Sequence, residues 1–284
     1  MGNGRTLTRP DGIRESGGIV GGVIRLDVCV ALVVICVAGN AGGANDEPLA
    51  FDASKIGPPN SGAPLELWRP SGARPFAAMV VLHGCNGVGE GSRSWAERLV
   101  GWGYAAVIVD SLGPRNFRDI CDAGWLVPPD LRARDAFSAA AYLRTRPDIV
   151  ADRIGVIGFS HGGSSTITAA LTNDQGRPFQ AAVAYYPYCR TQAPQAHFDT
   201  DLLILVGQDD DSNPAERCVN FVEANAEMPH APTIKVYPGA AHGFDVPGLD
   251  RYSASRHLMR ENHSAAADSF AVTEAFLAAR LKAK

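Results

Sequence analysis

Apolar and polar positions along the chain fall into two alternating kinds of segment. Short runs rich in Val, Ile, Leu and Ala occupy 77–83 (AAMVVLH), 104–110 (YAAVIVD), 154–159 (IGVIGF), 179–186 (FQAAVAYY), 202–206 (LLILV) and 233–237 (TIKVY). Most are apolar on both alternating faces, as parallel strands covered on both sides must be. Between them lie longer, Ala-rich segments of helical character at 94–101, 130–146, 163–172, 214–227 and 265–281. Asp130 offers a cap-like start to the second of these, and Pro147 stops it. Strand and helix alternate with turn residues at each joint, and no internal repeat interrupts them. That order predicts an α/β fold: a doubly wound, mostly parallel sheet with helices on both faces.

Two connections are long for such a fold, 111–129 after the second of these strands and 243–264 after the last. Both leave from strand carboxyl ends, where open α/β sheets hold their ligands, so both are expected to wall a site. The stretch between 186 and 202 is too short for a large cap domain.

Composition narrows the class further. With 46% apolar and 20% charged residues and a formal charge of -4, the chain is neither disordered, fibrous nor a coiled coil. A nucleic-acid partner is excluded on the same ground, because there is no basic excess. The 284 residues exceed one domain of ordinary size, and the N-terminus accounts for the surplus. A polar, Gly- and Arg-rich stretch precedes an unbroken apolar run at 28–38 (VCVALVVICVA), which small residues follow. That is the layout of a secretory signal peptide, and the run is too short to cross a bilayer, which needs roughly 20 residues. Residues 1–44 are therefore expected to be removed and 45–284 to form a single exported domain, periplasmic or secreted. Four cysteines remain in it, Cys85, Cys121, Cys189 and Cys218, an even number that suits an oxidising compartment. No CxxC pair points to a zinc or redox site, and no metal or organic cofactor is expected.

The candidate chemistry starts at the third of the listed strands, which runs into Gly158-Phe159-Ser160-His161-Gly162-Gly163 and then a helix. A G-x-S-x-G motif on a strand–turn–helix is the nucleophile elbow. Ser160 at its apex needs strained backbone angles, and side chains at 158 or 162 would collide. The pentapeptide alone is weak evidence; its partners decide. They must follow in the order Ser, acid, His, each on a loop at a strand end. One of Asp209, Asp210 and Asp211 follows 202–206, and His242 alone of seven histidines stands just beyond 233–237. An EF-hand reading of the Asp run fails, because Pro214 replaces the required Gly and Asn220 the Glu. An oxyanion would need two prearranged N–H donors: that of His161, and one from the loop His83-Gly84-Cys85-Asn86-Gly87. His83 itself reads as loop-orienting.

These segments together resemble the dienelactone hydrolase family of the α/β-hydrolase fold, over most of 65–283. The likeness runs through His83–Gly87, Asp110–Arg115, Gly158–Gly163, Tyr186-Pro187, Gly207–Pro214 and His242-Gly243-Phe244. It is strongest to an exported branch that carries H-G-C-x-G. The resemblance implies that Asp210 is the acid and that the main-chain N–H groups of Cys85 and His161 bind the oxyanion. It also implies, on the usual strand order, disulfides Cys85–Cys121 and Cys189–Cys218. Two departures stand out. The family's founding members use a Cys nucleophile supported by a Glu, and here Ser160 and Gly84 occupy those places. Their substrate-binding Arg after the His is Val246 here, which leaves Arg115 on the long loop as the candidate for an anionic substrate group.

The expected function is a serine hydrolase that cleaves small carboxylic esters or lactones through an acyl-enzyme, acting as a monomer without a stable membrane span. The alternatives are a peptidase of the prolyl-oligopeptidase type and a binding protein that has lost catalysis.

Overall fold

The computed structural model describes residues 48–49, 65–172, 176–190 and 198–282. The expected leader at 1–44 lies outside the described residues. Those described belong to one compact unit, Gly42–Lys284.

Among them, eight strands form one sheet: β1 (Pro48–Leu49), β2 (Leu65–Trp68), β3 (Phe76–Leu82), β4 (Ala105–Val109), β5 (Ile149–Phe159), β6 (Ala182–Tyr185), β7 (Leu202–Gly207) and β8 (Thr233–Tyr237). Their order is β1-β2-β4-β3-β5-β6-β7-β8. The run from β4 to β8 is parallel, while β2 is antiparallel to both β1 and β4. The helices are α1 (Glu90–Gly101), α2 (Pro129–Arg144), α3 (His161–Ala170), α4 (Ala215–Ala224) and α5 (His263–Leu281). This is the doubly wound sheet expected, and it follows from strands apolar on both faces.

The strand period of two sorts those side chains into two cores. Ala78, Val80 and Leu82 of β3 point into one, packed by Phe137 of α2, Ile167 of α3 and Phe221 of α4. Met79 and Val81 point into the other, against Trp95 and Leu99 of α1 and Leu277 and Leu281 of α5. Neither face of the strand meets water, so a polar residue on either would be buried without a partner.

Differences from the expected elements have local causes. Strand β5 starts at Ile149 rather than 154, because the first residues after Pro147 pair with Phe76 before a register shift at Phe76/Ala78. The two antiparallel edge strands β1 and β2 are too short to leave a period in the sequence. Inside 243–264 a hairpin forms from β9 (Asp250–Tyr252) and β10 (Leu258–Arg260). Its Asp-Arg-Tyr strand is wholly exposed, so no buried face announces it. The loop 111–128 is not slack either. Leu112, Ile120 and Val127 make a third small core against Cys85, Phe117 and Leu131.

Both disulfides implied by the resemblance are present, Cys85–Cys121 and Cys189–Cys218. The first straps the loop after β3 to the loop after β4, reinforced by the Ile120 N–H donating to the Cys85 carbonyl at 2.9 Å.

Candidate active site

Ser160 stands between β5 and α3 with φ 52° and ψ -116°, a conformation that side chains rarely adopt. Its neighbours explain why the turn can be so tight. A Cβ on Gly158 would lie 2.2 Å from the Gly162 carbonyl oxygen, and one on Gly162 would lie 2.3 Å from that of Leu82. Both are contacts between main chains, which cannot yield as a side-chain tip can. The Ser160 N–H donates to the Tyr185 carbonyl at 3.0 Å, which anchors the apex to β6.

Beyond β8, His242 faces this serine: its Nε2 lies 3.0 Å from Ser160 Oγ. Its Nδ1 lies 2.7 Å from Asp210 Oδ2. A carboxylate only accepts, so Nδ1 carries the hydrogen and Nε2 presents its lone pair to the Ser160 hydroxyl. Both partners are buried, the Asp210 side chain at 0% exposed. Asp210 is itself oriented, because its Oδ1 accepts the N–H groups of Ser212 at 2.9 Å and Asn213 at 2.8 Å. Of the three consecutive aspartates, only Asp210 points inward. Asp209 is exposed. Asp211 accepts the Leu258 N–H at 3.1 Å and so ties β10 to this turn rather than simply facing solvent.

The N–H of His161 opens helix α3, whose first amides have no partner within the helix. The N–H of Cys85 lies on the strapped loop after β3. Behind them sits a polar cluster. His83 is fully buried; it takes the Ser111 N–H on Nε2 at 3.2 Å and turns Nδ1 toward the Gly84 carbonyl at 2.6 Å. Burial, with the Arg132 charge adding to it, holds its pKa well below the ordinary value and keeps the ring neutral. The His161 ring receives Arg132 Nη1 on Nδ1 at 2.9 Å and directs Nε2 to the Gly124 carbonyl at 3.3 Å. Burial first and Arg132 second lower its pKa to about 4.

Arg115 does not take the place expected of it. Its Nη1 and Nη2 each lie 2.8 Å from the two oxygens of Asp135, and Nη1 also donates to the Ser111 carbonyl at 2.6 Å. A guanidinium held in a bidentate, mostly buried pair is not available to a substrate, and Arg115 does not line the cavity at Ser160. It fixes the long loop to α2 instead.

That cavity encloses about 780 Å³ and exposes Ser160 and His242 among Trp95, Tyr186, Tyr188 and Tyr252. Three residues of it were missed in the sequence. Tyr186, with φ 37°, sets its ring 4.7 Å from that of His242. Asp245, three residues after His242, is buried and accepts the Trp95 indole N–H at 2.7 Å. Burial raises its carboxyl above the usual range, with the Trp95 bond opposing. Arg251 of β9 adds a cation to a wall that also carries Glu90, Asp119 and Asp122. The hairpin carrying it is fastened across the mouth by a hydrogen bond from Ser255 Oγ to Asp122 Oδ1. Only Tyr186 had a signal in the sequence, its place in the Tyr-Pro pair after β6.

Comparison with known proteins bears on the fold and the family. A Bradyrhizobium protein named "Probable 2-oxo-3-(5-oxofuran-2-ylidene)propanoate lactonase" is 23% identical over 223 residues, covering 72% of this chain and 88% of that protein. Among solved structures, dienelactone hydrolase from Anabaena variabilis superposes with a TM-score of 0.61 at 19% identity, covering 84% of this chain and 99% of that one. Thermogutta terrifontis esterase 2, in a form phosphorylated by paraoxon, gives 0.62 at 19%, covering 85% and 96%. At such identities the superpositions establish the fold. The profile of the dienelactone hydrolase family, however, matches residues 66–281, nearly the whole described domain. With that match, the chain belongs to the dienelactone hydrolase family and is a hydrolase.

Proposed function

We propose that this hydrolase cleaves carboxylic esters or lactones through an acyl-enzyme formed on Ser160. The observation that carries the reading is the hydrogen-bonded chain from Ser160 Oγ through His242 to Asp210, at 3.0 Å and 2.7 Å, with the serine held at a strained apex. Its Oγ attacks the carbonyl carbon while His242 Nε2 takes the hydroxyl proton. Asp210 holds the imidazole in the accepting tautomer and stabilises the imidazolium. The amides of Cys85 and His161 bind the oxyanion. The ester C–O bond then breaks, and the proton on His242 passes to the departing alkoxide. Water repeats the sequence on the acyl group and frees the acid.

The substrate we favour is uncharged near the scissile bond. Arg115 is engaged by Asp135, Val246 stands where founding members of the family carry an Arg, and the cavity wall sets four carboxyl groups, Glu90, Asp119, Asp122 and Asp245, against Arg251. Export fits the same picture: the apolar run at 28–38 and two disulfides both suit an oxidising compartment.

The test is labelling by a fluorophosphonate probe, with Ser160→Ala as control, followed by turnover of short-chain aryl esters and matched amides. Labelling that Ser160→Ala abolishes, with ester turnover, is expected. An unlabelled wild-type protein would overturn the reading, and amide turnover without ester turnover would make it a peptidase.

A further inference from the structure

Arg132 of α2 is the bulkiest side chain that the fold buries completely, at 0% exposed. Its buried neighbours within a turn on the helix are Ala133, Asp135 and Ala136, all small, so packing alone does not call for a guanidinium there. It is also short of partners. Its Nε has no acceptor. Its Nη2 donates to the His83 carbonyl at 2.6 Å and its Nη1 to His161 Nδ1 at 2.9 Å. Nη2 also lies 3.3 Å from His83 Nδ1. That ring nitrogen carries its own hydrogen, because Nε2 accepts from Ser111, so the approach is of two donors and adds nothing. The carboxylate that acts on Arg132 most strongly, Asp135, gives both oxygens to Arg115. Asp110 is a weaker and partly exposed neighbour, and both histidines touching the guanidinium are held neutral. Burial lowers the Arg132 pKa only to about 10, so the group stays charged at neutral pH.

A buried cation without a hydrogen-bonded counter-ion is costly, and a fold retains one where an anion forms. The two groups it holds show where. The His83 carbonyl directly precedes Gly84-Cys85, and His161 is the residue whose own N–H opens α3. Each is within two residues of, or identical to, an amide assigned above to the oxyanion. We infer that Arg132 is a positioning residue that clamps both halves of the oxyanion hole from behind, its buried charge gaining a further counter-charge when the tetrahedral oxyanion appears. The inference rests on the serine-hydrolase reading. A field whose attraction grows as negative charge develops in the transition state raises kcat and leaves KM nearly unchanged.

The experiment compares Arg132→Met with Arg132→Lys, in steady-state turnover of an aryl ester and in the rate of fluorophosphonate labelling. Arg132→Met is expected to lower kcat and the labelling rate together, roughly 10- to 100-fold, with KM within about threefold. Arg132→Lys keeps the charge but offers one nitrogen for two partners, and is expected to recover part of that loss at a similar Tm. In Arg132→Met the His161 ring, followed by NMR, should titrate above its wild-type value of about 4, with burial still holding it below an ordinary imidazole. Wild-type kcat in Arg132→Met would overturn the inference. So would Arg132→Lys being as slow as Arg132→Met at equal Tm, which would mean that shape and not charge matters. If Arg132→Met does not fold, the wild-type protein answers. Ser160 is modified with a phosphonate that leaves an anionic oxygen, and the arginine nitrogens are followed by ¹⁵N NMR. The Arg132 signals should move and those of Arg115 should not; an unmoved Arg132 overturns the inference alone. A wild-type Ser160 that refuses the probe removes the hydrolase reading and this inference with it.

Discussion

On the two sides of Ser160 stand two imidazoles whose Nδ1 atoms face opposite charges. His242 Nδ1 meets the Asp210 carboxylate, and His161 Nδ1 meets the Arg132 guanidinium. The carboxylate forces a hydrogen onto Nδ1 and leaves Nε2 free to accept. The guanidinium forces a lone pair onto Nδ1, so the hydrogen sits on Nε2, and the nearby charge opposes a second proton. In the mechanism proposed above, identical rings thereby become a base and an inert strut. Proximity to the serine does not make a histidine catalytic; the group on its far nitrogen does.

The sharpest way to break this contrast is to spoil the Asp210 partner. Asp210→Asn permits the wrong His242 tautomer and is expected to lower kcat about 10⁴-fold in ester turnover. Retention of a tenth of the activity would remove Asp210 from its assigned role.

A second test asks whether the scaffold behind the His161 side matters as geometry. Replacing Cys85 and Cys121 together by Ser, or Cys189 and Cys218 together, is expected to cost about 2–4 kcal/mol of stability in either case. Only the first pair should also lower kcat, by about tenfold, because it holds the loop that carries the proposed oxyanion amide of Cys85. Equal kcat in both variants, measured well below their Tm values, would detach the strap from the chemistry.

The smallest effect on turnover belongs to His161→Gln, which keeps the backbone N–H and should leave kcat within about tenfold. Its signature lies in stability against pH. The folded ring titrates at about 4 and the unfolded one near 6.5, so the unfolded chain binds more protons between those values. Wild-type stability therefore falls as pH drops from about 6.5 towards about 4, and His83, also depressed, adds a slope of the same sign. In Tm measured against pH, His161→Gln should flatten that slope in part. An unchanged slope would mean that the folded protein does not hold the His161 ring neutral.

Much of this was legible in the residues, for a physical reason. Strands buried on both faces must be apolar at successive positions, so β3 to β7 announced themselves, and the terminal strand β8, only partly buried, still coincides with its expected span at Thr233–Tyr237. The elbow was legible because close main-chain approach admits only glycine at 158 and 162. The hairpin of β9 and β10 was hidden, since pairing between exposed polar residues leaves no pattern. Arg132 was hidden for the opposite reason. A charged residue in the run Asp130-Leu131-Arg132-Ala133-Arg134-Asp135 reads as the wet side of the helix, and only the tertiary contacts with His83 and His161 place it inside. Arg115 was misjudged because a loop arginine carries no mark of the Asp135 that claims it from the next helix.

The hairpin across the mouth bears on how such a site can diverge. It is fastened to the rest through groups other than its Arg251 and Tyr252 side chains: the Leu258 N–H on Asp211, the Arg260 N–H on the His242 carbonyl, and Ser255 on Asp122. Arg251 and Tyr252 lie exposed along the cavity wall. Those two positions can therefore be exchanged without loosening the His242 loop, whereas the elbow glycines admit no exchange at all. Selection for new substrates has a free hand at one edge of the cavity and none at its floor.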